Sequence, residues 1–237
     1  AEVTATKTGE VMNEMATVSA RAFTVEETDR YAGSRGDPAR MASNFAGVQG
    51  ADDSRNDIVV RGNSPSGVLW RIEGVDLTNP NHFSVPGTGG GPVAIINNKT
   101  LANSDFFTAA FPAEFGNSTA AVFDLKLRNG NQDHWHGSAQ LGFLGTEVLL
   151  EGPLNRDKRS SLLVNYRYST ASIFSAVGID IGTSAVPKYQ DGSFKLFTPT
   201  KGGGSLSFWG IGGNSNVDIL ISNQVAPERN IYGDNDR

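Results

Sequence analysis

Apolar positions along this chain recur mostly at every second residue, in short runs broken by Gly, Asn and Pro, which is the spacing of strands rather than helices. The clearest case is residues 162–169. Leu162, Val164, Tyr166 and Tyr168 form an apolar face and Asn165, Arg167 and Ser169 a polar one, with the tyrosines toward one end. Phe194-Lys195-Leu196 and Leu206-Ser207-Phe208 repeat the alternation, while Ala139, Leu141 and Phe143 give way to Val148 and Leu150 across Gly145, predicting a turn between two strands. About five strands of this kind are predicted after residue 130.

Upstream the pattern is mixed. Residues 16–25 read as a strand, and Thr24 followed by Glu26 and Glu27 supplies helix-start chemistry. Asp37-Pro38 repeats that chemistry, with good helix formers over residues 39–46 and Gly47 to end them. Residues 58–62 and 68–74 are β-rich runs separated by the turn-forming residues 63–67, which predicts a hairpin. Residues 79–92 are expected to form an irregular loop, and its Gly89-Gly90-Gly91 is expected to be flexible. Phe106-Phe107 and residues 121–128 return to strand character until Asn129-Gly130-Asn131 stops it.

Three segments follow from this pattern: an extended leader over residues 1–15, an α+β domain over 16–130, and antiparallel strands over 131–237. Connections at residues 155–159 and 198–202 are short and polar, whereas residues 170–189 make a long one. Short turns alternating with long loops are what outer-membrane barrels show, although the turn at Leu144-Gly145 is short where a long one is expected. Such barrels need about eight or more strands in even number, so the strands here are expected to belong to an incomplete outer-membrane β-barrel.

Composition changes this picture only by exclusion. A net charge of -5 disfavours a nucleic-acid partner or an anionic-lipid surface, and the absence of Cys removes disulfide and thiol chemistry. No apolar run approaches the ~18 residues of a spanning helix, a test that a barrel escapes because its strands need only about 9 to 11. No hydrolase elbow, phosphate-binding loop or zinc-binding helix motif is present, so no catalytic residue, metal or cofactor is expected. His134 and His136 flank Trp135 and read better as residues of a membrane interface than as metal ligands.

Four pieces in order carry a resemblance: residues 40–48, Ile58-Val59-Val60-Arg61-Gly62, residues 69–77, and Pro112-Ala113-Glu114-Phe115-Gly116. Together they resemble the plug of TonB-dependent outer-membrane transporters, especially the Bacteroidota branch that carries a carboxypeptidase-like regulatory domain upstream. Arg61-Gly62 matches the family's "IxIRG" element, and Glu73-Gly74 stands where the family has Asp-Gly. Residues 112–116 match "GPAxxxYG" with Phe111 replacing the leading Gly, and Asn103-Ser104-Asp105-Phe106 replaces a second "RIE" element.

The resemblance implies a Gram-negative outer-membrane location, TonB and membrane lipid as partners, and energy-coupled uptake of a scarce solute such as an iron chelate, vitamin, glycan or peptide. It implies solute contacts at the plug's outward loops, here Asn63, Ser64, Ser66, Asn79, Asn81, His82 and Phe83. Arg61, Gly62, Glu73 and Glu114 are implied as structural contacts between plug and barrel. Val3-Thr4-Ala5-Thr6 resembles the end of a TonB box, which pairs edge-on with a TonB strand; an unstructured leader is the equal alternative. The rival reading is a soluble β-rich binding module, in which Asn165, Arg167 and Lys195 would face water instead of the interior.

Overall fold

Strands dominate the computed structural model, as the period-2 pattern requires. They run β1 (Ala20–Phe23), β2 (Val48–Gly50), β3 (Ile58–Val60), β4 (Val68–Ile72), β5 (Val75–Leu77), β6 (Asn81–His82), β7 (Val93–Ala94), β8 (Ser104–Phe107) and β9 (Ala121–Leu125), and a short helix, α1 (Pro38–Ala42), precedes β2. Then follow β10 (His136–Leu141), β11 (Thr146–Asn155), β12 (Ser160–Tyr168), β13 (Ala185–Pro199) and β14 (Ser205–Ile219). The chain divides into two units, Ala1–Gly130 and Asn131–Arg237. The structure describes residues 11, 13, 15, 19–23, 30, 33, 34, 36–51, 53–85, 87–142, 145–155, 157, 159–170, 173 and 185–219. Val3, Thr4, Ala5 and Thr6, the helix start at residues 24–28 and most of the connection at 170–189 lie outside them.

In the first unit, α1 begins where its capping chemistry predicts. Asp37 Oδ1 accepts from the Ala39 amide at 2.8 Å and Pro38 occupies the first helical position, where its missing N–H has no consequence. The helix stops at Ala42 instead of reaching residue 46. Ser43 Oγ donates to the Arg40 carbonyl at 2.6 Å and Asn44 Nδ2 to the Met41 carbonyl at 3.0 Å, so side chains take up the carbonyls that another helical turn would use.

The hairpin predicted between residues 58–62 and 68–74 does not form. β3 pairs with β2, Val60 opposite Val48, and then turns through Arg61 and Gly62 at φ 51 and 81. A single 3₁₀ turn, Pro65–Gly67 capped by Ser64, carries the chain into another sheet. There β4 runs antiparallel to β5 through Glu73-Gly74, whose φ values of 49 and 83 give the left-handed turn that matches strand twist. On its other side β4 lies parallel to β9, with Trp70 opposite Phe123. The resulting order is β1-β8-β9-β4-β5.

Aromatic packing explains that choice of partner. The Trp70 and Phe123 rings stack at 4.2 Å between centroids, Phe106 lies 4.4 Å from Phe123, and Phe23 meets Phe123 edge-on. Each such pair adds about 0.5 to 1.5 kcal/mol beyond the area it buries, which a β3–β4 hairpin would forgo. The opposite face of the sheet is closed by Phe115 against Phe107 and Val122. Arg71 lies over the Phe115 ring at 4.7 Å and pairs with Asp76 at 2.6 Å, so residues 112–116 serve as a lid on the sheet.

In the second unit β10 to β14 form an antiparallel meander in sequence order. Its registers align apolar residues into rows. Ala139, Val148, Tyr166, Gly192 and Gly212 are successive partners, as are Gly137, Leu150, Val164, Phe194 and Gly210. Leu162, Leu196 and Phe208 continue the same face.

Candidate solute-facing loops and membrane face

Two surfaces merit a functional reading: the paired loops of the first unit and the apolar face of the second. Residues 63–67 and 79–91, distant in sequence, meet at Gly89. A Cβ there would overlap the Pro65 carbonyl, so a glycine is required for the loops to touch. Asn63, Ser64 and Ser66 are exposed, and the two serine hydroxyls lie 2.8 Å apart. Phe83 is half-buried at φ 55, beside exposed Ser84 and Val85.

The start and the end of the second loop turn inward, which corrects two expectations. Asn81 and His82 are 5% and 1% exposed and cannot touch a solute in this conformation; Asn79 spends its Nδ2 on the Thr88 and Gly90 carbonyls at 3.1 and 3.2 Å. Gly89-Gly90-Gly91 is not a flexible spacer. A Cβ on Gly90 would stand 2.6 Å from Asn56 Oδ1, and one on Gly91 2.6 Å from the His82 carbonyl oxygen. Open space is absent around the whole tripeptide, and packing holds it in place.

A polar cluster does that holding. Arg55 pairs with Asp57 at 2.6 Å and donates from Nη2 to Thr88 Oγ1 and the Gly90 carbonyl at 3.1 and 3.0 Å. Asn56 donates to Asp37 and Asn81 and accepts from the Gly91 amide. Burial pushes the Asp37 carboxyl above the usual carboxylate range, against the hydrogen bonds from Asn56 and Ala39 that favour its charge. Residues 53–57 drew no attention in the sequence because a short charged run usually lies in solvent. Its placement directly before the buried strand β3 was the available signal.

The residues implied as structural contacts have partners inside the first unit. Arg61 Nη2 donates to Ser19 Oγ and Thr108 Oγ1, both at 3.3 Å, and Gly62 completes the Arg61 turn. Glu73 Oε1 accepts from the Leu127 amide at 2.7 Å, fastening the β4–β5 turn to the chain beyond β9. Glu114 Oε1 accepts from Asn13 Nδ2 at 2.8 Å while Asp105 Oδ2 accepts from the Asn13 amide at 2.9 Å. Two acids from separate elements thus anchor the N-terminal segment at Asn13. His134 and His136 are exposed, and among the described residues no group of three or more metal-ligating side chains gathers.

The second unit is inverted relative to a soluble sheet. Leu150, Tyr166 and Phe208 are 45%, 48% and 64% exposed, whereas Asn165, Asp191 and Lys195 on the other face are 2%, 3% and 6% exposed. Arg167 donates twice to Asp191 Oδ2, at 2.8 and 2.9 Å, on that buried polar face. Neither Asn165 nor Lys195 faces water, as a soluble module would require. Aromatic side chains mark both ends of the apolar face: Tyr166 bonds through its hydroxyl to Gln190 at one end, and exposed Trp135 lies on Gly152 at the other, where a Cβ would overlap its indole. Roughly 14 Å of strand separate them at about 3.4 Å per residue, from the level of Gly152 to that of Tyr166. Among the described residues no helix is long and apolar enough to cross a membrane, which says nothing of strands.

No family model and no curated protein matches the chain. Solved structures do. A ferric enterobactin receptor, PfeA, in complex with BCV-L6 superposes at TM-score 0.55 with 15% identity over 84% of this chain and 33% of its own. The R480A mutant of PfeA from Pseudomonas aeruginosa in complex with enterobactin gives 0.52 and 14% over the same shares. The outer membrane transporter YddB from Escherichia coli aligns more loosely, at 0.48 and 12% over 76% and 30%. The chain therefore spans about a third of the length of the PfeA structures, and over that third it shares their fold.

Proposed function

We propose that the chain is part of a TonB-dependent outer-membrane transporter of a Gram-negative bacterium, with the first unit as its plug domain and the second as the first strands of its β-barrel. The inversion of the second unit carries this reading. Leaving Leu150, Phe208 and the rest of their face in water forfeits about 25 cal/mol for each Å² of apolar surface, which a hydrocarbon surrounding recovers. Trp135 and Tyr166 then take the interfacial places that amphipathic rings prefer.

In this reading the transporter does no chemistry on its cargo. Asn63, Ser64, Ser66 and Phe83 make the direct solute contacts, with Asn79, Asn81 and His82 as the support beneath them. Val3, Thr4, Ala5 and Thr6 lie upstream of the Asn13 anchor, where a strand-pairing segment for TonB would be tethered at one end. The motif series supports the Bacteroidota branch. Iron chelates, vitamins, glycans and peptides are the solute classes; PfeA, a ferric enterobactin receptor by fold likeness, makes an iron chelate the first to test.

Fractionation of cells expressing the full-length protein tests the proposal. The expected result is recovery in the outer membrane with detergent needed for extraction, and a protein that stays in solution without detergent sinks it. Titration of the extracted protein with ferric enterobactin, a vitamin, an oligosaccharide and a peptide then separates the solute classes.

A further inference from the structure

Asn56 touches three segments of the first unit at once. Its Nδ2 donates to Asp37 Oδ2 and to Asn81 Oδ1, both at 2.6 Å, and its Oδ1 accepts from the Gly91 amide at 2.7 Å. Its own amide donates to the Gly91 carbonyl at 2.9 Å. The residue is 3% exposed. A carboxamide is the one short side chain that offers two donors and an acceptor from a single end, so Asp at this position would lose the donors and Leu the whole set.

Asp37 is the cap of α1. Oδ1 serves the helix, accepting from Ala39 and Arg40, while Oδ2 serves Asn56. Removing Asn56 leaves a buried carboxylate short of a donor, and removing the Gly91 arm leaves Asn56 Oδ1 short of one. Buried polar groups in such a chain are satisfied together or lost together. Gly90 and Gly91 approach Asn56 and the His82 carbonyl too closely for a Cβ, so the arm packs directly on the hub.

Outward from the hub, the Thr88 hydroxyl and amide both bond to the Val85 carbonyl, at 2.7 and 3.1 Å, and Gly89 rests on Pro65. A displacement of either exposed loop therefore bears on Gly90 and Gly91, and through Asn56 on the cap of α1.

We propose that Asn56 is a coupling residue: it makes the seating of the 88–91 arm and the capping of α1 a single event, so that a change at the loop surface is felt at the helix and the reverse. The use of this coupling, in reporting solute at the loops, rests on the transporter reading; its existence does not.

Hydrogen exchange on the full chain in detergent micelles tests the coupling without any solute. In Asn56→Ala, amides of residues 88–95 and of residues 38–45 are both expected to exchange about tenfold faster or more, with β12 and β13 unchanged. Acceleration at one of the two segments alone overturns the proposal. Should Asn56→Ala unfold the whole first unit, Asp37→Ala approaches from the opposite end: faster exchange at residues 88–95 supports the coupling, and unchanged protection there overturns it. Failure of the transporter reading would register separately, in the fractionation, since neither exchange experiment contains solute or depends on uptake.

Discussion

The two units solve the same problem, a strand-rich chain with alternating faces, with different kinds of residue turned outward. In the first unit Phe23, Phe106, Phe107 and Phe123 are at most 1% exposed and charged side chains lie at the periphery or in hydrogen-bonded clusters. In the second unit Leu150, Tyr166 and Phe208 lie on the outer surface, and Asn165, Asp191, Ser193 and Lys195 are buried together with Leu149 and Leu163. The local rule of alternation is common to both. What differs is which residues the covered face carries, and the contrast shows that alternation by itself names two faces without saying which is inside.

This comparison can be broken by moving substitutions across it. The largest effect is expected for Phe123→Ala, which removes the ring that Trp70, Phe106 and Phe23 share; destabilisation of the first unit by about 3 to 5 kcal/mol should appear in denaturant unfolding followed by segment-resolved exchange. Strand exchange in the second unit should stay the same.

Next in size is Leu150→Arg, at the middle of the exposed row. In a bilayer it should cost about 2 to 4 kcal/mol, measured by urea titration of the chain in phosphatidylcholine vesicles. An ordinary solvated surface would absorb the same change within about 0.5 kcal/mol, and that outcome would remove the contrast between the units.

A smaller effect is expected at Gly74, whose φ of 83 is one that side chains with a Cβ rarely adopt. Gly74→Ala should destabilise the first unit by about 1 to 2 kcal/mol and speed exchange in β4 and β5 before other strands.

The smallest change concerns pH. Because burial raises the Asp37 pKa, the folded chain holds that proton more tightly than the unfolded chain. The stability gained from this group is full below the ordinary value of 3.8 and is lost as pH rises through the folded pKa. Asp37→Asn should flatten that part of the pH profile of urea midpoints, since Asn still caps the helix. A profile unchanged by the substitution would show that the carboxyl is not held in a desolvated site.

Legibility in the sequence was uneven for identifiable reasons. The Asp37-Pro38 helix start and the strands around residues 162–168 and 194–196 could be read because their signals are local: a cap with a fixed partner, a period with two faces. The β3–β4 hairpin was misread because the competing partner of β4 is β9, about fifty residues on, and no local turn residue announces a Trp70–Phe123 stack. Gly89-Gly90-Gly91 was misread for a related reason. Glycine permits freedom and close approach alike, and only the neighbours Pro65, Asn56 and His82 decide between them.

The loop residues divide along the same line. Composition placed Asn63, Ser64, Ser66, Asn79, Asn81, His82 and Phe83 in loops, yet it could not say that Asn81 and His82 turn inward while Ser64 and Ser66 stay exposed. Arg55, Asn56 and Asp57, residues of a kind that usually lie in solvent, are the clasp on the second loop.

By itself the sequence determined the period of its strands, the caps and turns that depend on neighbouring residues, and the ordered motifs, since each rests on backbone geometry or on residues a few positions apart. Tertiary structure alone decided which face of the second unit is buried, which strand accompanies β4, and how Asn56 links Asp37, Asn81 and Gly91. Those depend on contacts between residues far apart in the chain, whose energies exist only after the chain has brought them together.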